Sequence, residues 1–302
     1  MLPVITRAIH LRDFERGQQL IEEARTLKGS TDTLDEALFR LNVEHIGTLL
    51  NDKKYDEALG IAETTLERFP DKLGPWLLKA RILAASGKQS DALLVLRQAK
   101  ERFPHESAPY ELEGDLLVEA KQFEQAADAY QLGWYEKPSQ TLAVKMYQVL
   151  KAANKPKEAV SKLEAWLNKD PQSPQALTLL AMNHQSQGRL EEARKLYEQV
   201  IKLRPNDAVA LNNLAWIYQE LGKGDALGTA RKAWELLPNN AAIADTYGYI
   251  LLRQGQPEQA REILKKAHDA APEVKEIALH LAEALEKTGD SSGAQALRSK
   301  FN

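Results

Sequence analysis

The sequence predicts an all-α fold, an α-solenoid in which antiparallel helix–turn–helix units stack one upon the next. Two observations lead to this prediction: a residue pattern that recurs about every 34 residues, and the fixed places of proline and glycine within it. A period of this length is typical of stacked supersecondary units, each of which buries its apolar face against its neighbours. A chain of 302 residues can therefore fold without a single central core.

The repeat is clearest between Trp76 and Pro138, where two copies follow each other with corresponding residues 34 apart. Both copies keep the order large, small, large, turn, alanine, large, small, proline. The first copy consists of Trp76, Ala80, Leu83, Gly87, Ala92, Leu96, Ala99 and Pro104, and the second of Tyr110, Gly114, Leu117, Lys121, Ala126, Tyr130, Gly133 and Pro138. The small residues allow two helices to approach closely, and the large ones fill the space between repeats.

Three residue types mark fixed positions along the whole chain. Proline, which does not continue a helix, ends the repeats at Pro70, Pro104, Pro138, Pro171, Pro205, Pro238 and Pro272. Glycine, which tolerates the left-handed conformation, is expected between the two helices at Gly87, Gly188, Gly222, Gly255 and Gly289. Asn154 and Lys121 take this place in two repeats, and we expect slight strain at Lys121. Alanine recurs early in the second helix, at Ala58, Ala92, Ala126, Ala159, Ala193, Ala226, Ala260 and Ala294.

These markers predict a single array of repeats over residues 1–302. Residues 1–38 form a partial, irregular first repeat, and residues 275–302 form a partial repeat that caps the other end. The full repeats are 39–72, 73–106, 107–139, 140–173, 174–207, 208–240 and 241–274. Extra residues around Lys28 to Asp35 predict a longer loop or an extended first helix, with Thr33 or Asp32 as its N-cap and Glu36 in support.

The composition is that of a folded soluble protein, with 43% apolar and 27% charged residues. The net charge is −3 and no block of like charge is long enough to predict a nucleic-acid partner. The absence of cysteine excludes disulfides and thiolate metal sites.

The sequence leaves two cellular locations possible. No apolar run approaches the roughly 18 residues needed to span a bilayer, and residues 1–17 lack the apolar region and cleavage site of a secretion signal. Read literally, this predicts a cytoplasmic protein. The chain is also expected to begin inside a repeat, which leaves the alternative that a targeting segment or membrane anchor belongs upstream.

No pattern predicts catalysis, a cofactor or a metal. The six histidines are scattered, and His280 with Glu283 three residues later is a pairing expected by chance. The glycines Gly222, Gly224 and Gly228 lack the order of a phosphate-binding loop. No serine lies in a Gly-x-Ser-x-Gly context.

The spacing and residue order resemble the tetratricopeptide repeat (TPR) pattern over nearly the whole chain. This resemblance implies a right-handed superhelix whose first helices line a concave groove, and a function as a binding scaffold. The runs at 211–218 (LNNLAWIY) and 244–251 (ADTYGYIL) are most similar to bacterial TPR lipoproteins of exosortase (PEP-CTERM) and exopolysaccharide systems, and residues 113–117 and 163–167 fit the same group. The resemblance implies a periplasmic or cell-envelope location, although this chain contains no lipobox cysteine.

The positions that line the groove in TPR proteins predict the binding residues. The resemblance places the following side chains there: Arg81, Glu111, Asp115, Asn212, Trp216, Gln219, Asp245, Tyr249 and Arg253. Trp216 and Tyr249 occupy equivalent positions in adjacent repeats, so they are expected to stack on a ligand. The alternative is that both rings pack between neighbouring helices. Asn212 and Asn213 fall at the wrong positions for a carboxylate clamp, so a C-terminal peptide tail is not expected.

Three functions remain open after these observations. The first is a non-catalytic scaffold that binds a protein or peptide within an envelope system for exopolysaccharide secretion or protein sorting. The second is direct binding of exopolysaccharide in the same groove, and the third is a cytoplasmic adaptor. The oligomeric state is open as well, because the ends of a repeat array can stack on each other.

Overall fold

A computed structural model of the protein describes residues 2–29 and 31–301, and Met1, Ser30 and Asn302 lie outside the description. Within the described residues the chain forms 18 α-helices joined by short turns, and no strand. The all-α prediction is therefore confirmed. The chain divides into two compact units, Met1–Ala159 and Val160–Asn302.

In the first unit, consecutive helices pack against each other in antiparallel pairs. The helices are α1 (Leu2–His10), α2 (Phe14–Lys28), α3 (Asp32–Asn51), α4 (Tyr55–Arg68), α5 (Leu73–Ala85), α6 (Gln89–Arg102), α7 (Ala108–Glu119), α8 (Phe123–Glu136) and α9 (Gln140–Ala152). Helix α10 (Pro156–Leu167) includes the boundary between the units.

The second unit repeats the same arrangement, and its odd-numbered helices also contact one another, α13 with α15 and α15 with α17. Its helices are α11 (Pro174–Ser186), α12 (Leu190–Leu203), α13 (Ala208–Leu221), α14 (Ala226–Leu236), α15 (Ala241–Arg253), α16 (Pro257–Ala270), α17 (Lys275–Lys287) and α18 (Ser291–Ser299). From 73–106 onward, each predicted repeat range contains two helices. The single array over residues 1–302 stays a prediction.

The recurring alanines are buried where helices meet. All eight predicted positions, from Ala58 to Ala294, expose at most 6% of their surface. The large residues one turn further on are buried as well: Leu96, Tyr130, Leu163, Tyr197 and Leu264. A small side chain beside a large one allows close approach without leaving a void, which is the condition for native packing density.

The turn between the two helices of a repeat adopts the left-handed conformation. The five predicted glycines have φ between 61° and 91°. Lys121 and Asn154 both have a φ of 59°, as the pattern predicted, and Arg12 (57°) and Lys53 (59°) adopt the same conformation in the first two hairpins. For a residue with a Cβ atom this costs roughly 1–2 kcal/mol.

The insertion near residue 30 lengthens a helix. Helix α3 contains 20 residues, and the hydroxyl of Thr31 accepts a hydrogen bond from the Leu34 amide at 3.3 Å. The prediction that Thr33 or Asp32 caps this helix was wrong, because both residues already lie inside its first turn. The side chain of Glu36 forms no hydrogen bond with the described residues. The part of the insertion at Ser30 lies outside them.

Candidate functional site

A groove of about 540 Å³ lies in the second unit. It runs along the first helix of each of three consecutive repeats, α13, α15 and α17. Four of the side chains predicted from the sequence line it together: Asn212, Trp216, Asp245 and Tyr249. Further lining side chains that matter for its chemistry are Glu220, Glu276 and His280.

Helical spacing places the groove residues on one face. On α13, Asn212, Trp216 and Glu220 are four residues apart, so they lie one above the other along the helix. The opposite face of the same helix carries buried residues such as Leu214 and Ile217. The packed core thus holds the polar and aromatic face toward the groove.

Trp216 and Tyr249 are both half-buried and both line the groove. Trp216 packs partly against the apolar cluster around Tyr197, and Tyr249 partly against the cluster around Leu251. Each ring therefore packs against an apolar cluster on one side and lines the groove on the other, so packing and ligand binding do not exclude each other. Their role in binding stays a prediction.

The two rings differ in their surroundings. The guanidinium of Arg253 lies 4.7 Å from the ring centroid of Tyr249, and the His280 ring lies 4.8 Å from it at an interplanar angle of 35°. Trp216 has no aromatic or cationic partner among the described residues. The indole is the groove ring that remains open to a ligand.

A histidine–carboxylate pair lies in the wall of the groove. The Nδ1 atom of His280 is 2.9 Å from Oδ1 of Asp245, a carboxylate that is 9% exposed. Burial of the imidazole opposes its positive charge. The hydrogen bond to Asp245, with the charges of Asp245, Glu276 and Glu283, outweighs burial and raises the pKa of His280.

Sequence reasoning missed His280 as a groove residue, since it considered that side chain only as a metal ligand. The repeat register could have found it, because His280 lies 34 residues after Thr246, which also lines the groove. The position of Glu220, one turn after Trp216, was a similar signal.

Arg253 and Gln219 lie outside the lining of the groove. Arg253 instead donates two hydrogen bonds, at 3.2 and 3.0 Å, to the carboxylate of Glu283 on the next first helix. Lys287 pairs with the same carboxylate at 3.0 Å. Gln219 is half-buried and has no side-chain hydrogen bond among the described residues.

The remaining predicted residues lie in the first unit. The ammonium of Lys145 joins Glu111 at 2.8 Å to Asp115 at 2.6 Å. The hydroxyl of Tyr130 donates to Asp115 at 2.7 Å, and burial together with this bond raises the pKa of Tyr130. Arg81 is exposed and has no ion pair with the described residues. Four of the nine predicted residues thus line the groove of the second unit, and a binding role for all nine stays a prediction.

Two kinds of feature are absent from the part of the chain that the structure describes. Within it, no three histidine, aspartate or glutamate side chains are grouped so that they could hold a metal ion. Over the same residues, no helix combines the length and the hydropathy that a membrane span requires.

Comparison with known proteins relates the chain to one family. Family models described as tetratricopeptide repeat match residues 115–301 and 49–116. A TPR repeat-containing protein of Pseudomonas aeruginosa is 27% identical over 175 residues, which are 56% of this chain and 29% of that protein. The chain thus spans less than a third of the length of this curated relative.

Solved structures share the fold. The pilF protein of Pseudomonas aeruginosa superimposes with a TM-score of 0.56 at 18% identity, over 65% of this chain and 90% of that chain. The APC/C hetero-tetramer Cut9–Hcn1 gives a TM-score of 0.55 at 15% identity, over 90% of this chain and 52% of that chain. At these identities the likeness shows the fold alone.

Proposed function

Since this chain belongs to the tetratricopeptide repeat family, we propose that it is a protein-interaction scaffold that binds a segment of a partner protein in the groove formed by α13, α15 and α17. Proteins of this family are generally non-catalytic scaffolds. The Cut9 structure, which shares the fold, was determined as an assembly with a second protein, Hcn1.

The observation that carries the proposal is the convergence of Asn212, Trp216, Asp245 and Tyr249 on one open groove. An aromatic ring supplies a large contact area, and nearby amides and carboxylates orient a peptide backbone or side chain. Interfaces typically draw most of their affinity from a few such anchors.

The groove is also held in shape before a ligand arrives. Buried contacts join α13, α15 and α17 through residues such as Ala215, Ile250 and Ile277, and the Arg253–Glu283 pair connects α15 to α17. A preformed groove lowers the entropy that binding costs.

Peptide selection on the full chain tests the proposal. A library of random peptides is panned on the immobilised chain, and selected peptides are measured by fluorescence anisotropy. We expect Trp216→Ala and Tyr249→Ala to weaken binding roughly tenfold or more. Tyr135→Ala is the matched control, because Tyr135 is an aromatic residue that is 72% exposed and lies in the first unit.

Two outcomes would contradict the proposal: no peptide is selected, or both groove variants bind as tightly as the unaltered chain. Thermal melting accompanies each measurement, since both rings also pack against apolar clusters. A variant that has lost its cooperative melting transition is replaced by Trp216→Leu or Tyr249→Leu, which retain apolar volume.

A second candidate is exopolysaccharide binding within an envelope secretion or protein-sorting system. It is supported by the resemblance of residues 211–218 and 244–251 to envelope proteins, and by the open ring of Trp216, which could stack on a sugar face. Calorimetric titration with exopolysaccharide fragments tests the ligand, and a flat titration contradicts it. Cell fractionation of the full-length gene product tests the envelope location. Recovery of the protein from the cytoplasm alone would contradict that location.

A further inference from the structure

We infer that the groove in the second unit accepts a positively charged side chain, an arginine or lysine of the bound peptide, over the indole of Trp216. The inference rests on the proposed function and names the chemistry of the segment that the groove selects. Three observations support it. The groove contains hydrogen-bond acceptors without donors, the Trp216 ring has no aromatic or cationic partner among the described residues, and the other charged groups near the groove are already paired.

The first observation is a surplus of acceptors along the groove. The Oδ1 atom of Asn212 is buried and receives no hydrogen bond from the described residues. Glu220 accepts one long hydrogen bond, at 3.5 Å from the Tyr249 hydroxyl. Neither Glu220 nor Glu276, which line the same groove, has an ion pair within the described chain. A buried acceptor without a donor costs about 1–3 kcal/mol, so an occupant that brings N–H donors gains what an occupant without donors does not. The carboxylates of Glu220 and Glu276 add a preference for donors that are positively charged.

The second observation is the position of the open ring. Arg253 and His280 already contact the ring of Tyr249, whereas the ring of Trp216 has no such partner among the described residues. Trp216 lies on α13 between Asn212 and Glu220, one turn from each. A cation over an indole is attracted by the ring quadrupole, and here an amide oxygen and a carboxylate flank that ring.

The third observation concerns the remaining charges, which are paired. The imidazole of His280 is bonded to Asp245, and Arg253 and Lys287 share the carboxylate of Glu283. Among the described residues, the groove charges without an ion-pair partner are therefore the carboxylates of Glu220 and Glu276. An acidic segment would meet repulsion there, and a basic one finds complementary charge.

The geometry favours arginine over lysine at this position. A guanidinium is planar and carries five N–H donors, so it can stack on Trp216 while it donates to acceptors at its edge. A lysine ammonium supplies three donors and no flat face. Both carry the positive charge that complements Glu220 and Glu276.

The test uses the full chain and the peptides selected on it. We expect arginine and lysine to be enriched among the selected sequences, and replacement of the basic residues by glutamine to weaken binding roughly tenfold. The double variant Glu220→Gln with Glu276→Gln should weaken binding of the basic peptides by a similar factor. It should also reduce the loss of affinity on raising salt from about 50 to about 500 mM.

The matched control is the double variant Glu235→Gln with Glu262→Gln. It makes the same change in net charge on exposed second-helix residues of the same unit, and binding should stay within a factor of about two. Equal loss in both double variants would reduce the effect to net charge and overturn the inference.

The outcomes separate the inference from the function on which it rests. Peptides that bind through Trp216 but lack basic residues, or whose affinity is unchanged in the groove double variant, overturn the cationic inference and leave the scaffold function standing. Binding that survives both Trp216→Ala and Tyr249→Ala overturns the proposed function as well.

Discussion

The imidazole of His280 and the carboxylate of Asp245 meet at 2.9 Å across two neighbouring first helices, although 35 positions separate them in the chain. Asp245 is almost fully buried on α15, and His280 projects from α17. A hydrogen bond between oppositely charged partners in a partly buried setting is stronger than one at the surface. The pair therefore links the protonation of His280 to the packing of α17 against α15.

The first prediction is a pH-dependent contribution of His280 to stability. Its pKa is raised in the folded chain, so its contribution is fully present below the unfolded pKa of about 6.5 and is lost as the pH rises through the folded pKa. The difference in free energy of unfolding between the unaltered chain and His280→Gln should be larger at about pH 5.5 than at about pH 8.5. Urea denaturation at both pH values measures it.

His45 and His184 have lowered pKa values, with burial as the largest cause in each case, so protonation of these residues works in the opposite direction. Both are present in the unaltered chain and in the variant, and their effects cancel in the difference. An equal stability difference at the two pH values would contradict the prediction.

The second prediction concerns Gly114, which packs against a buried tyrosine. A Cβ atom on Gly114 would lie 2.2 Å from Cε1 of Tyr130 and 2.5 Å from its Cδ1. Because Tyr130 is 3% exposed and bonded to Asp115, it has little room to move. Gly114→Ala should reduce the free energy of unfolding by about 1–3 kcal/mol, as measured by chemical denaturation.

Gly60 is the matched control for this change. It also lies inside a helix, α4, but an added Cβ atom would meet nothing within 4 Å. Gly60→Ala should therefore increase stability, by about 0.5–1 kcal/mol, since alanine loses less conformational entropy on folding. Equal effects at the two positions would show that the contact with Tyr130 is not the cause.

The third prediction concerns the turn residue Lys121, whose φ is 59°. Replacement by glycine removes a left-handed strain of roughly 1–2 kcal/mol and adds an entropic cost of about 0.5–1 kcal/mol. Lys121→Gly should therefore raise the free energy of unfolding by about 0.5–1 kcal/mol, read from the urea midpoint.

Gly87 supplies the reciprocal test, because it occupies the same turn position with a φ of 81° and has nothing within 4 Å of an added Cβ atom. Gly87→Lys should lower stability by about 0.5–1 kcal/mol, because the backbone strain exceeds the conformational entropy that glycine loses on folding. If Lys121→Gly destabilises the chain, the strain of the left-handed turn is smaller than the entropy that glycine loses on folding.

The fourth prediction concerns the start of α3. Thr31 caps this helix through its hydroxyl, so Thr31→Ala should lower stability by about 1 kcal/mol. Thr33 lies in the first turn and is exposed, and Thr33→Ala should change stability by less than about 0.5 kcal/mol. A larger effect at Thr33 than at Thr31 would reverse the assignment of the cap.

Much of the repeat architecture could be predicted from the residues. Pro104 and Pro138 each lie two residues beyond the end of a second helix, and Ala92 and Ala126 are fully buried. These are local requirements: proline does not continue a helix, and only a small side chain fits where two helices nearly touch. The irregular segment before α3 was less predictable, since several adjacent residues there are capable of capping a helix.

The candidate site was only partly predictable. Repeat register brought Asn212, Trp216, Asp245 and Tyr249 to one groove, because equivalent positions on stacked helices share a face. The same register also selected Arg81 and Gln219, which line no part of this groove. The position of a residue within the repeat predicts the face of the helix on which its side chain lies. It does not predict which charged side chains on that face form ion pairs.

The sequence by itself determined the helix–turn–helix repeat, its turns and the small-beside-large packing, because each depends on residues close together in the chain. Only the tertiary structure decided that His280 bonds Asp245 and that Arg253 pairs with Glu283. It also decided that one face of the Trp216 ring lines a groove with Glu220 and Glu276, which form no ion pair within the described part of the chain. Those relationships depend on the rotation of one helix against the next and on the rotamers of long side chains. Neither is a property of any single repeat.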